Sequence, residues 1–350
     1  MKQSQIPEVA VIILNYNGKH WLEKFLPSVI AHTPATLAKI WVADNGSSDG
    51  SLEMIKSQFP EVNTLRMSEN YGFAGGYNHA IQNIPCKYVM LLNSDVEVRE
   101  GWIEPLYYTL QRNHSIAACQ PKLLDYNEPL KFEYAGAGGG LIDKYGYPFC
   151  RGRIFNKIEN DSGQYNEEIE VFWATGACMM VNKKLFQTVG GFDKNFFAHM
   201  EEIDLCWRFK NLGYKIKYVP ASKVYHVGGG TLTAQDPHKT YLNFRNNRLM
   251  LFKNLDSGQA LQVNLIRNLL DLLSLLQFLL KFKFKDAGAV IRAQFAYRSM
   301  MMKALEDKHR FKEIQQKHKI GPPNTKGIYP KSIVFSFFIR QRKKFTDLSW

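Results

Sequence analysis

The sequence predicts an α/β fold in which a mostly parallel sheet carries helices on both faces, with a basic helical extension after it. Three observations carry the prediction. From Val9 to Asn93, short β-rich apolar runs alternate with helical patterns, and parallel neighbours require such crossovers. Those runs stop in polar residues at Asn15, Asp44 and Asn93-Ser94-Asp95, where the carboxyl ends of strands in open α/β sheets take ligands. Charge is also divided, because residues 251–350 hold 19 Lys/Arg against 7 Asp/Glu while the rest of the chain holds 26 against 25. The formal net charge of +13 therefore belongs to the extension, and a near-neutral first part argues against a nucleic-acid-binding protein.

Taken in order, Val9 to Leu14 is β-rich and ends at the turn Asn15-Tyr16-Asn17-Gly18, and Trp21, Leu22, Phe25, Leu26 and Val29 then recur at helical spacing. Ile40 to Ala43 leads into Asp44-Asn45-Gly46-Ser47, and a second helix is expected from about Ser51 to Phe59. A third strand lies near Val62 to Arg66. The loop Asn70-Tyr71-Gly72-Phe73-Ala74-Gly75-Gly76 then opens a helix over Asn78 to Asn83. Its glycine spacing is wrong for a dinucleotide fingerprint, and no G-x-x-x-x-G-K-[ST] loop occurs. Tyr88 to Leu92 is a buried strand stopped by Asn93-Ser94-Asp95. Asp95 is a candidate for metal or phosphate chemistry, although the same three residues also suit a turn or the cap of a helix near Glu100.

From Asn113 to Glu170 the regularity fades, and Gly136 to Gly140 reads as a flexible loop. Order returns at Val171 to Val181. The stretch Glu201-Glu202-Ile203-Asp204-Leu205-Cys206-Trp207-Arg208 then opens a helix that Gly213 ends. Its carboxylates complement the positive end of the helix dipole. Large apolar neighbours also point to partial burial, which raises a carboxylate's pKa and suits a general base. A strand over Tyr214 to Val219 precedes His226, which is followed by three glycines and can bind a divalent metal. Arg245 and Arg248 either clamp a phosphate or pair with the acidic helix.

Composition adds bounds. The 45% hydrophobic and 22% charged content is that of an ordinary globular protein. Five cysteines without a C-x-x-C pair indicate neither a zinc site nor a disulfide framework, so a reduced compartment is expected. The N-terminal residues lack the apolar region of a signal peptide, which also points to the cytosol.

Taken together and in order, Asn15-Tyr16-Asn17, Asp44-Asn45-Gly46-Ser47, Asn70 to Gly76, Leu92-Asn93-Ser94-Asp95, Glu201 to Arg208 and His226-Val227-Gly228-Gly229 resemble a family 2 glycosyltransferase of the Rossmann-like GT-A fold. The resemblance is closest to the rhamnosyltransferase-like bacterial branch. It covers residues 8 to about 255, so residues 1–255 are expected to form the catalytic domain, donor part about 1–120 and acceptor part about 121–255, with 256–350 as the extension. It implies metal-dependent, inverting transfer of a sugar from a nucleotide diphosphate to a hydroxyl. Asp44, Asn15 and Asn17 would line the nucleoside pocket, with Asn70, Gly75, Asn93, Ser94 and Arg245 along the same donor site. Asp95 and His226 would hold Mg²⁺ or Mn²⁺, and Glu202, with Glu201 as its competitor, would be the base. The chain departs from the family in two places. Asn93 replaces the usual first acid of the Asp-x-Asp motif, and Glu201-Glu202 replaces the usual Glu-Asp pair.

In the extension, Gln262 to Leu280 is almost all leucine or similar, apart from a polar stripe at Asn264, Arg267, Asp271, Ser274 and Gln277, and Lys281, Lys283 and Lys285 follow. A wide apolar face beside lysines suggests an interfacial helix on an anionic inner leaflet, and packing on the catalytic domain or in a homodimer is the alternative. The expected protein is thus a cytosolic, peripheral membrane enzyme of bacterial surface polysaccharide synthesis. It would use dTDP-rhamnose or a UDP-sugar and a glycan or lipid-linked acceptor. A nucleotidyltransferase, or a non-catalytic sugar-nucleotide-binding or scaffold protein, are the other readings.

Overall fold

The computed structural model describes residues 7–228 and 236–350. In chain order the elements are β1 (Val9–Asn15), α1 (Lys19–His32), β2 (Ala38–Asp44), α2 (Ser51–Gln58), β3 (Asn63–Arg66), α3 (Gly72–Asn83), β4 (Tyr88–Asn93), β5 (Val96–Val98), α4 (Glu104–Arg112) and β6 (Ile116–Asp125). Next come β7 (Gly140–Asp143), β8 (Pro148–Cys150), β9 (Arg153–Ile154), β10 (Lys157–Ile158), β11 (Ile169–Val171), β12 (Cys178–Asn182), α5 (Lys183–Thr188), α6 (Glu201–Asn211) and β13 (Lys215–His226). The chain closes with α7 (Pro237–Asn254), α8 (Ser257–Leu280), α9 (Phe284–His318), β14 (Ile328–Tyr329) and α10 (Ile333–Phe338).

The main sheet runs β11-β13-β6-β12-β4-β1-β2-β3, with β5 pairing on β13. Its β4-β1-β2-β3 half is parallel, as the alternating pattern predicts. The other half is mixed, because β12 runs antiparallel to both β4 and β6. Alternation explains the unbroken apolar runs in the sequence. Val9, Val11 and Ile13 enter one hydrophobic core and Ala10 and Ile12 the other, so β1 is buried on both faces.

Three expectations need correction. The 113–170 stretch contains β6, a ten-residue central strand, and most of a second sheet ordered β10-β9-β8-β7-β14 with its own core of Leu141, Phe149, Ile154 and Tyr329. Gly136 to Gly140 is not a flexible loop. It is almost wholly buried, and a Cβ on Gly140 would collide with the Trp173 indole. The 70–76 glycine stretch is itself helical, because α3 begins at Gly72, whose φ of +69° a Cβ would strain.

The strand predicted over 214–219 is also longer. β13 is carried past the irregularity between Val219 and Lys223 to end on His226. Two of the three glycines after His226 lie outside the described residues. The extension is built onto the rest: β14 adds to the second sheet beside β7, and α9 packs along α7.

Candidate active site

Three parallel strands deliver their polar ends to one edge. Asn15, which ends β1, donates from Nδ2 to Asp44 Oδ1 at 3.2 Å, to Ser47 Oγ at 3.2 Å and to Ser51 Oγ at 3.0 Å. Asp44 ends β2 fully buried, and its Oδ2 accepts the Ser47 amide at 3.1 Å, so it braces the 45–50 loop from beneath. Asn17 is exposed with φ +50°, accepts the Ser48 amide at 2.8 Å, and faces outward from the same turn. Ser94 approaches this turn from β4, since a Cβ on Gly18 would lie 2.6 Å from Asn15 Oδ1 and 3.6 Å from Ser94 Oγ. Asn70 takes Asn45 Nδ2 at 3.0 Å and the Gly72 amide at 2.9 Å, and Gly75 leaves room for Tyr71 Cβ, which a side chain there would meet at 2.9 Å.

Asp95, between the end of β4 and β5, meets His226 at the end of β13, which pairs with β5; the two are 131 positions apart in sequence. His226 Nε2 lies 3.1 Å from Asp95 Oδ1 and 3.4 Å from Asn93 Nδ2. On its other side, Nδ1 lies 3.1 Å from Oε1 of Glu133, a buried residue whose Oε2 accepts the Ala135 amide at 2.6 Å. Burial alone would discharge this imidazole, but Glu133 and Asp95 override it and lift His226 to about 10. Asp95 is held below the usual carboxylate range, because the hydrogen bond and charge of His226 outweigh its burial. The pocket thus favours positive charge at this point.

These residues suit a hard divalent cation. Neighbouring oxygen or nitrogen ligands about 2.1 Å from one ion sit about 3 Å apart, which is the Asp95 to His226 spacing, and a Mg²⁺ site takes one or two protein ligands plus substrate phosphate. Glu133 stands where a carboxylate orients a metal-binding imidazole through its far nitrogen. Among the described residues no group of three or more His, Cys, Asp or Glu is arranged to hold a metal alone. Phosphate oxygens and water would therefore complete the shell.

The third part is α6. It is entered through a strained segment, with Phe197, His199 and Met200 at φ of 63°, 68° and 73°, values that non-glycine residues rarely adopt. Asn246 Nδ2 on α7 donates to the Phe196, Ala198 and His199 carbonyls at 3.0, 2.8 and 2.8 Å, and Arg245 donates to those of Asn195 and Phe196 at 3.0 and 3.1 Å. Arg245 is thus engaged with the backbone of this segment. Arg248 points away, bonding Asn268 at 2.6 Å beneath α8, and neither arginine pairs with the acidic residues of α6. The Phe197 carbonyl accepts the Phe73 and Ala74 amides at 2.9 and 3.3 Å, which ties the segment to the glycine stretch.

The first-turn carboxylates of α6 have separate fates. Asp204 pairs with Arg208 at 2.8 Å within the helix. Glu201 is buried, and both desolvation and the neighbouring Glu202 charge push its pKa well up. Glu202 is half-buried, its Oε2 is enclosed without a hydrogen-bond partner, and desolvation raises it to about 7.

Glu133 and Asn246 escaped the sequence reading. The one trace of Glu133 is an acid between two aromatics, Phe132 and Tyr134, and that of Asn246 is an amide pair in mid-helix.

Comparison with known proteins identifies the family and the fold. The chain is 28% identical over 245 residues to N-acetylglucosaminyl-diphospho-decaprenol L-rhamnosyltransferase of Mycobacterium tuberculosis, covering 65% of this chain and 78% of that protein. It is 25% identical to rhamnosyltransferase WbbL of Escherichia coli K12 over 62% of this chain and 83% of the relative. Among solved structures, GalNAc-T7 with UDP, GalNAc and Mn²⁺ superposes with a TM-score of 0.55 at 18% identity, over 71% of this chain and 48% of the other, which supports the GT-A-like fold. The model of "Glycosyl transferase family 2" matches residues 10–190, more than half of the chain, so this protein is a member of that family and an inverting glycosyltransferase that moves a sugar from a nucleotide-diphosphate donor to an acceptor.

Proposed function

We propose that the chain transfers a sugar to a hydroxyl of a lipid-linked or glycan acceptor in cell-surface polysaccharide synthesis, with dTDP-rhamnose as the leading donor and UDP-sugars next. The observation that carries the chemistry is Glu202, a half-buried carboxylate with an unpartnered oxygen and a pKa of about 7, which this reading sets against the Asp95 and His226 pair. In this reading Glu202 takes the acceptor proton as the hydroxyl oxygen bonds the anomeric carbon, and the bond to the diphosphate breaks on the opposite face. Glu201, buried deeper and with its own pKa pushed well up by desolvation and the Glu202 charge, is the competing candidate.

The nucleoside end would rest on the edge built by Asn15, Asn17, Ser94 and the loop that Asp44 braces, with Asn70 and Gly75 on its flank. Asp95 and His226 would hold Mg²⁺ or Mn²⁺, with Asn93 beside them; when bound, the ion neutralises charge on the departing diphosphate. The rhamnosyl donor and lipid-linked acceptor are suggested by the names of the mycobacterial and E. coli relatives. A cytoplasmic enzyme on the inner face of the membrane fits that acceptor.

Thermal unfolding with a panel of nucleotide sugars, with and without Mn²⁺ or Mg²⁺, tests the donor assignment. The right donor at 100 times its dissociation constant adds about 2.7 kcal/mol, and only with metal present. Equal stabilisation by every nucleotide diphosphate without metal would remove both the metal and the sugar from the proposal.

A further inference from the structure

Helix α8 is turned inside out relative to an ordinary surface helix. Its charged residues are inward: Arg267 and Asp271 are buried and 3.3 Å apart, Arg267 lies 3.9 Å over the Tyr147 ring, and Gln294 donates to Asp271 at 2.8 Å. Its leucines are outward, with Leu261, Leu265, Leu269, Leu273 and Leu280 all more than half exposed. Soluble proteins rarely expose a contiguous apolar face of this extent without a use for it.

The charge beside this face identifies what covers it. At the turn into α9 the sequence Lys281-Phe282-Lys283-Phe284-Lys285 is exposed at all five positions, and Arg292, Phe295 and Arg298 continue the same mixture along α9. Two carboxylates occur between residues 257 and 305, and both are engaged: Asp271 with Arg267, and half-buried Asp286 with the Thr240 hydroxyl at 2.6 Å. The surface therefore offers leucine, phenylalanine and cations, with no exposed acid among them.

We infer that the outer face of α8 and the Lys281 to Lys285 turn form a membrane-docking surface that lies in the plane of an anionic lipid leaflet, leucines in the acyl boundary and lysines at the phosphates. A second copy of the chain would have to bring two lysine-rich 281–285 turns together, which like-charge repulsion opposes. α8 is long and apolar enough to cross a bilayer. Crossing would pull Arg267 and Asp271 from their protein partners into hydrocarbon, whereas lying flat leaves that network intact. The inference deepens the lipid-linked acceptor reading, and it is read from vesicle binding, which does not depend on transfer.

Flotation of the full chain with phosphatidylcholine vesicles, with and without phosphatidylglycerol, tests it. The protein should float with the anionic vesicles and much less with neutral ones, and raised salt should weaken binding. The triple variant Lys281→Gln, Lys283→Gln, Lys285→Gln should bind anionic vesicles about 100-fold more weakly. Leu265→Ser with Leu269→Ser should lose more than about 10-fold on any vesicle, because the area buried in lipid is smaller. Both variants should keep wild-type thermal stability and donor binding, since the changed side chains are exposed. Absence of binding to anionic vesicles overturns the inference. So does a concentration-dependent dimer, seen by sedimentation velocity, that the leucine variant abolishes, because the face would then belong to a second copy. Failure of donor binding with intact flotation would instead count against the donor reading alone.

Discussion

Glu202 combines what a base for an alcohol needs: an oxygen without a partner, partial access, and a pKa that desolvation brings to about 7. A base must be ionised to accept the proton, so kcat/KM should fall about tenfold per pH unit below that value and level off above it. The Glu201 and Glu202 pair titrates jointly, so the profile reports the pair, and a flat profile from pH 5 to 8 would exclude either as the base. In the proposed reading Glu133 acts at one remove. Glu133→Gln keeps the shape but removes the charge facing His226 Nδ1, and it should weaken Mn²⁺ binding about 10- to 100-fold in calorimetry with a nucleotide diphosphate present. Unchanged metal affinity would leave Glu133 as a brace for the Ala135 amide and nothing more. At this scale Asp95, His226 and Glu202 stand out in the sequence as candidates, because each interrupts an apolar pattern. It hides Glu133, whose meaning arises from the 3.1 Å approach to a residue on another strand.

The strained 197–200 segment shows how an element is held to a task. Three non-glycine residues at positive φ persist because α7 satisfies the backbone around them through Asn246 and Arg245. Asn246→Ala should strand buried carbonyls, costing about 1–3 kcal/mol in denaturant unfolding, and should lower kcat while donor binding is retained. A variant with wild-type stability and turnover would mean that the segment holds itself. β1, β4 and α6 were readable because seven, six and eleven residues of clear period suffice to show a strand or a helix. The second sheet was not, since β9 and β10 are two residues long and the sheet closes through β14, whose neighbour Ile333 bonds Asp143 across 190 positions. The glycine stretch reads as a loop in sequence because glycine disfavours helix in isolation, while in the fold Gly76 lets α3 approach Leu14 and Asn45.

On the scale of the molecule, a mixed sheet places the polar ends of β1 and β2 on one edge and joins Asp95 to His226, the parts that the proposed reading combines with Glu202, and a basic extension carries an exposed leucine face. The uneven charge in the sequence foretold that extension. It could not foretell that α8 would bury its only ion pair and show its leucines, because the polar stripe of a helix does not say which side meets the protein. The decisive measurement is sugar transfer by Glu202→Gln alongside its donor binding. Glu202 as base requires turnover to fall by about 10²- to 10⁴-fold while metal-dependent donor stabilisation stays at the wild-type level. Transfer at the wild-type rate by that variant would contradict it.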